Sequence, residues 1–339
     1  MKDITIKEIA EICGVSRGTI DRVIHNRGNV SEETEKKIRA SLEKFNYRPN
    51  KVGKMLAGKK KGMKVGVILI SKGNPFFDDM ISGLRKAFED YSEYGVSGDI
   101  YELEGYNVQR QIDKLREIMD DYDVIIFNPM NDPRVVETIN MLTDCGKVVI
   151  NINTNVENSR KLSYVGSDYF QGGQIAGGML ARITDGRTNI GVLTGSLNVL
   201  GHNERIKGLR ESIARYEDMN IIKIAETKDS NSQGYRATLD MLESYEIDSI
   251  VIIAAGVEGV CQALIDQGLA RKIKLVSFDD IAITRRMIRE GVISATICQS
   301  PFEQGYKAIE IAYNHYVMGR EAGDIDYIIK SEIKILENL

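Results

Sequence analysis

Thr5-Ile6-Lys7-Glu8-Ile9-Ala10, then Gly14-Val15-Ser16, then Arg17-Gly18-Thr19-Ile20-Asp21-Arg22-Val23 is the stretch from which the rest of the 339-residue chain is read. Thr5 and Glu8 have the spacing of a capping box, in which the hydroxyl takes the Glu8 amide and the carboxylate reaches back. Ile6, Ile9, Ala10 and Cys13 give that first helix one apolar side. Gly14 supplies a tight turn and Val15 plugs the corner. Ser16 caps a second helix, whose opening N–H groups also suit a phosphate. On that helix Ile20, Val23 and Ile24 face inward, whereas Arg17, Gly18, Asp21 and Arg22 face out. Asn26-Arg27-Gly28-Asn29 reads as a loop. Ser31 caps a third helix, expected to run to about Asn46 and to bury Thr34, Ile38, Leu42 and Phe45.

Three short helices in this arrangement have the geometry of a unit that lays its second helix in a DNA major groove. Arg17 and Arg22 are the base-edge candidates, since a guanidinium can donate two hydrogen bonds to guanine. Gly18 admits the backbone closely. Thr5, Ser16, Thr19 and Asn26 complete the DNA-facing set on this unit. Lys36, Lys37, Arg48, Lys51 and Lys54 are phosphate candidates, which position without specifying; each alone reads equally as a solvated surface cation. Charge agrees: residues 1–62 hold 15 Lys and Arg against 8 Asp and Glu, a net of +7, leaving −11 for the remainder of a chain at −4. A positive head on an acidic body suits a protein that sets one end against a polyanion. A solubilising basic tail, the bland alternative, does not carry periodic apolar residues.

The length suggests two or three domains, and 42% hydrophobic with 28% charged residues fits a folded chain. Cys13, Cys145, Cys261 and Cys298 are widely spaced, without a CxxC pair, and there are 3 histidines. Neither a disulfide scaffold nor a zinc site is expected, and a reducing cytoplasm is the natural compartment. No signal-peptide h-region opens the chain and no apolar run approaches a membrane span, so no membrane partner is expected.

Beyond the linker Lys59-Lys60-Lys61-Gly62, apolar β-rich runs alternate with amphipathic helical patterns. Val65-Gly66-Val67-Ile68-Leu69-Ile70 reads as a strand covered on both faces. Phe77, Met80, Ile81, Leu84, Ala87, Phe88 and Tyr91 follow with helical spacing. Further strands are read at 124–127, 148–152, 190–193, 221–225, 249–254 and 275–278, which predicts α/β architecture in two parallel-sheet lobes. Gly172-Gly173 and Gly177-Gly178 fall in a helical segment and predict close packing against a neighbour. Neither GxGxxG nor GxxxxGK[ST] occurs, which weighs against dinucleotide or nucleotide cofactors. No catalytic constellation stands out either.

Open parallel sheets bind ligands at the carboxyl ends of their strands. There the sequence places Asn74-Pro75-Phe76-Phe77, Asn128-Pro129, Asn153-Thr154, Arg205 in a helix opening, Asp279 and Gln299. Amides, one carboxylate, one arginine and two rings form a suitable inventory for a sugar: planar polar groups take hydroxyls and an aromatic face covers C–H surface. Each also has a structural reading: Phe76 and Phe77 as core, Arg205 in an ion pair, and Asn128, Asn153, Asp279 and Gln299 as loop organisers.

The words quoted above, with Asn46-Tyr47-Arg48-Pro49-Asn50, resemble the LacI family of bacterial transcription regulators over the whole chain. That resemblance implies an N-terminal all-α helix-turn-helix head (1–48), a hinge helix and linker (49–62), and a type I periplasmic-binding-protein-like sensor body (63–339). Its lobes are expected at about 63–167 with 298–323 and at 168–297 with 324–339. It adds Tyr47, Asn50, Leu56 and Ala57 to the DNA-contacting residues, with Leu56 as an apolar wedge in the minor groove. Family members usually carry Ser or Thr at the Asp21 position and Ala at the Gly53 position. The glycine makes the hinge helix costlier to order by roughly 1 kcal/mol. The body is similar to ribose/galactose-type sugar-binding proteins, which assigns Asn74, Phe76, Phe77, Asn128, Asn153, Arg205, Asp279 and Gln299 to the effector. Asn153-Thr154 departs from the usual Asp-Arg pair, and Ala255-Gly256 from an Asn-Asp word, so ribose itself is not assigned. The expectation is a homodimeric repressor of palindromic operator DNA, controlled by a monosaccharide or polyol, without cofactor or metal. The alternatives are a solute-binding receptor without DNA function and a sugar-modifying enzyme on the same scaffold.

Overall fold

A computed structural model describes residues 4, 6–24, 28–45, 62–197, 199–320 and 326–339. Two compact units emerge, Met1–Lys60 and Lys61–Leu339.

The first unit is three helices, α1 (Ile6–Cys13), α2 (Arg17–Ile24) and α3 (Glu32–Lys44). Gly14 takes φ +69° at the corner, a backbone state that favours glycine. The Ser16 hydroxyl accepts from Thr19 N at 3.1 Å, and Ser31 Oγ accepts from Thr34 N at 3.4 Å, so both expected caps are in place. Ile9, Ala10, Cys13, Ile20, Val23 and Ile38 form the core. The third helix departs from expectation. Only Ile38 is buried on it; Thr34 and Leu42 are half-buried, and Phe45 is 39% exposed. Phe45 is the C-cap residue, past the last turn that touches the small core, and Lys44 Nζ lies 5.5 Å from its ring centroid.

The second unit contains two six-stranded sheets built the same way. The first holds β1 (Met63–Ile70), β2 (Val96–Leu103), β3 (Val124–Phe127), β4 (Val148–Ile152), β5 (Ser163–Ser167) and β11 (Tyr327–Ile329), in the order β11-β5-β4-β3-β1-β2. The second holds β6 (Arg187–Thr194), β7 (Asp218–Glu226), β8 (Ser249–Ile252), β9 (Lys274–Phe278), β10 (Ala295–Cys298) and β12 (Glu332–Lys334), in the order β12-β10-β9-β8-β6-β7. All pairings are parallel except β10 with β12. Parallel neighbours need crossovers, supplied in the first lobe by α4 (Phe76–Ser92), α5 (Val108–Ile118) and α6 (Pro133–Asp144). In the second lobe they are α8 (Leu200–Ile213), α9 (Asn231–Ser244), α10 (Val257–Asp266) and α11 (Ala282–Arg289). The central strands β3, β8 and β10 are buried along their whole length, which is why, Ser249 apart, they read as apolar or β-branched runs.

Two further helices follow the crossings of the chain between the lobes. The chain leaves β5 through α7 (Tyr169–Ile183), which packs on α8, and leaves β10 through α12 (Pro301–Tyr316), which packs on α4. It crosses a third time between β11 and β12. Tyr327–Ile329, expected in the second lobe, therefore belongs to the first sheet, where it pairs with Val165–Ser167. A three-residue strand has too few side chains to show which sheet edge its backbone will meet.

Both helix pairs use glycine to bring backbones together. A Cβ on Gly173 of α7 would sit 2.0 Å from the Arg205 carbonyl oxygen, and one on Gly177 would sit 2.8 Å from Ser212 Cβ. Gly172 meets the Phe278 ring at 3.2 Å, whereas Gly178 has nothing nearer than 3.9 Å, so three of the four glycines carry the expected close packing. In the first lobe, a Cβ on Gly83 of α4 would fall 2.0 Å from the Phe302 carbonyl oxygen.

Candidate functional site

On the head, the outward face of α2 presents Arg17, Gly18 and Arg22 exposed, with Asp21 half-buried. Ser16 Oγ and Thr19 Oγ1 lie 2.9 Å apart, so this pair stiffens the start of the helix. Lys37, a phosphate candidate, donates to the Cys13 carbonyl at 3.1 Å and closes the end of α1. Thr5, Asn26, Tyr47, Asn50, Leu56 and Ala57 lie outside the described residues, as does the hinge segment up to Lys61.

In the body, a cavity of about 470 Å³ is walled by both lobes: Ile70, Tyr106, Asn128 and Thr154 on one side, Tyr169, Ser196, Leu200 and Glu204 on the other. It lies beyond the carboxyl ends of β1, β3, β4 and β6, where parallel sheets accept ligands. Of the eight residues expected at the effector, Asn128 lines it. Its Oδ1 accepts from Ile70 N at 2.8 Å, tying the ends of β1 and β3 together. Gln111 bridges the same loop, donating to Asn128 O at 2.9 Å and accepting from Met130 N at 3.0 Å.

The other first-lobe candidates hold their own loops. Asn74 Oδ1 accepts from Phe76 N at 3.1 Å. Phe76 and Phe77 are buried and pack edge to face, with centroids 5.2 Å apart. Phe76 lines a separate hollow of about 330 Å³ with Asp280, Arg285 and Phe302. Asn153 takes φ +63°, and its carbonyl accepts from the hydroxyls of Tyr164 at 2.7 Å and Tyr169 at 3.0 Å.

The second-lobe candidates converge. Arg205 is 4% exposed on α8, held where Gly173 lets α7 approach. Its guanidinium carbon lies 3.9 Å from the Phe278 centroid and 4.8 Å from that of Tyr169, and Nη1 donates to Ile253 O at 2.6 Å. Burial pulls its pKa below the usual value, with Asp279 acting in the opposite sense. Burial pushes the Asp279 carboxyl up, against the Arg205 charge and a 2.6 Å hydrogen bond from Gln299 Nε2. Arg205 Nε and Gln299 Oε1 are buried with no hydrogen-bond partner among the described residues. The hydroxyl of Tyr169 is pushed up to about 12 by burial.

The reading of strand ends missed Tyr106, Tyr164, Tyr169 and Asp229. Tyr106 OH donates across the cleft to Asp229 Oδ2 at 3.2 Å, while Asp229 Oδ1 accepts from Ala255 N at 3.1 Å. Tyr164 belongs to β5, whose Ser163-Tyr164-Val165-Gly166-Ser167 is too polar to stand out as a strand. Its one available signal is a β-forming Tyr-Val pair just before a helical pattern.

Comparison with known proteins separates the two units. The lacI family of bacterial regulatory proteins matches residues 5–50, and the periplasmic binding protein domain matches residues 65–321. The chain belongs to the LacI family of bacterial regulators. The ribose operon repressor of Lactococcus lactis subsp. lactis is 25% identical over 320 residues, 91% of this chain and 90% of that protein. Catabolite control protein A of Priestia megaterium is 26% identical over 332 residues, 95% of each. GanP, a glucose-galactose binding protein from Geobacillus stearothermophilus, superposes with a TM-score of 0.76 at 23% identity, covering 82% of this chain and 99% of that one. This LacI-family member is thus a transcriptional regulator, with a DNA-binding head followed in sequence by a type I periplasmic-binding-protein fold. Such a protein acts by binding rather than by turnover. Among its described residues no helix is long and apolar enough to cross a membrane.

Proposed function

We propose that the regulator is a homodimeric repressor of palindromic duplex DNA, and that a monosaccharide or polyol between its lobes sets its DNA affinity. The observation that carries this reading is the cavity walled by both lobes. Its volume lies within the roughly 300–1,000 Å³ usual for small-molecule sites. A ligand touching both walls favours one lobe arrangement over another, and only such a difference in affinity shifts an equilibrium. The names of the relatives support the solute class: one represses a ribose operon, and a structural neighbour binds glucose and galactose.

Arg17, Gly18 and Arg22 are assigned to the groove, with Ser16 and Thr19 at the helix start and Thr5, Asn26, Tyr47, Asn50, Leu56 and Ala57 completing the contact set. Two-fold related heads match two half-sites. Support for the effector residues is uneven. Asn128 lines the cavity, and Arg205, Asp279 and Gln299 form one group whose Nε and Oε1, without partners among the described residues, suit hydroxyls. Asn74, Phe76, Phe77 and Asn153 are assigned on their strand-end positions alone.

Selection from a random duplex pool, followed by fluorescence anisotropy with and without a panel of sugars and polyols, tests both halves. The expected result is a palindromic consensus whose affinity at least one panel member changes. Failure to enrich any sequence defeats the repressor, and a consensus that no panel member affects defeats the effector.

A further inference from the structure

The cavity wall has a one-sided charge. Glu157, Asp168 and Glu204 line it, and none of the described lining residues is Lys, Arg or His. The three carboxylates come from separate places: the loop after β4, the N-cap of α7 and the second turn of α8. Nearby cations are engaged elsewhere. Arg205 turns onto Phe278, Tyr169 and the Ile253 carbonyl. Lys207 pairs with Glu204 at 2.6 Å. Glu157 and Asp168 have no ion pair among the described residues, and the Asp168 carboxylate accepts only from Gln171 N at 2.9 Å. Asp229 adds a carboxylate immediately behind Tyr106.

Two helix starts pull the other way. The start of α8 faces the cavity through Val199, Leu200 and Gly201, and Val199 gives its N-terminus no side-chain cap. A helix start carries about half a positive charge, so the α8 start and the α7 start that Asp168 caps together offset about one of the two negative charges left after Lys207 is set against Glu204. The wall is also aromatic, with Tyr106, Tyr169 and Phe170, and ring faces attract cations. Ser167, a further lining residue, buries a hydroxyl that has no partner among the described residues, as expected where a polar ligand completes the site.

Resting on the effector reading above, we propose that the ligand of this cavity is an amine-bearing sugar or polyol, an amino sugar or aminocyclitol, and not a phosphorylated or acidic one. The ammonium group sits against Glu157 and Asp168, and the α8 amides take hydroxyls. A phosphoryl group would bring up to two negative charges against the same carboxylates.

Calorimetric titration of the full-length protein at low salt tests this, at about pH 6.5, where a primary amine beside hydroxyls is mostly protonated. The probes are matched pairs, glucosamine with glucose, galactosamine with galactose and mannosamine with mannose, alongside glucose 6-phosphate and gluconate. At least one amine is expected to bind about tenfold tighter than its neutral counterpart, with the margin shrinking as salt is added. Glu157→Gln with Asp168→Asn should remove most of that margin; asparagine still caps α7. If the double variant misfolds, the exposed Glu157→Gln alone should reduce it. Equal or tighter binding of the neutral, phosphorylated or acidic sugars overturns the amine assignment and leaves the sugar-effector reading standing. Silence across every probe overturns both.

Discussion

The two lobes share one strand order, 5-4-3-1-2 in the first sheet and 10-9-8-6-7 in the second, yet their strand ends do different things. In the first lobe the Asn74 and Asn128 side chains accept from backbone amides, and the Asn153 carbonyl takes two tyrosine hydroxyls. In the second, Asp279 interacts with both Arg205 and Gln299, and two polar atoms of that group lack partners among the described residues. The repeated topology fixes where a loop emerges but leaves its chemistry free. Binding specificity can therefore change in one lobe without touching the sheet of either.

The sharpest test asks whether the scaffold is common to both lobes. Gly173→Ala drives a methyl against the Arg205 carbonyl, and Gly83→Ala does the same to Phe302 in the other lobe. Each should cost about 3 kcal/mol in denaturant unfolding, the upper end of overpacking. Gly178→Ala, with its nearest atom at 3.9 Å, should instead stabilise by about 1 kcal/mol through helix propensity. A neutral Gly83→Ala beside a damaging Gly173→Ala would end the parallel.

Next in size is Arg205→Ala, which leaves the Ile253 carbonyl without its donor and opens the space between Phe278 and Tyr169. A loss of about 2–3 kcal/mol is expected, together with loss of the DNA response to effector. Wild-type stability would show that the second-lobe group bears no structural load. For the first lobe, Asn153→Ala should cost about 1 kcal/mol, because alanine tolerates φ +63° poorly. Asn153→Gly should not. Equal losses would mean that the side chain rather than the backbone matters there.

The smallest effect is a pH dependence. Because burial raises the Asp279 pKa above its ordinary 3.8, its favourable contribution is complete below about pH 4 and disappears as pH rises through the folded value. Asp279→Asn should therefore gain stability relative to wild type at neutral pH and lose that advantage in acid. An advantage that instead grows in acid would reverse the assigned sign.

The head and the alternation of strands and helices were legible because burial imposes a period: Ile9, Ile20 and Val23 face inward as their spacing requires. Phe45 misled because periodicity does not say where a small core stops. The strand ends were legible as positions. The cavity wall was not, because Tyr106 comes from a loop, and Tyr169 becomes a wall residue only through α7 packing on α8. The third crossing was hidden in three-residue strands, whose pairing is a backbone matter.

That third crossing bears on synthesis. The first lobe takes α12 and β11 from the C-terminal end of the chain, and the second takes β12 from beyond them. Neither sheet is complete until Tyr327–Ile329 and Glu332–Lys334 have left the ribosome, so the body cannot mature one lobe at a time as it emerges. A message truncated shortly before Tyr327 would yield a head joined to two sheets that each lack an edge, a product for proteolysis rather than a smaller sensor.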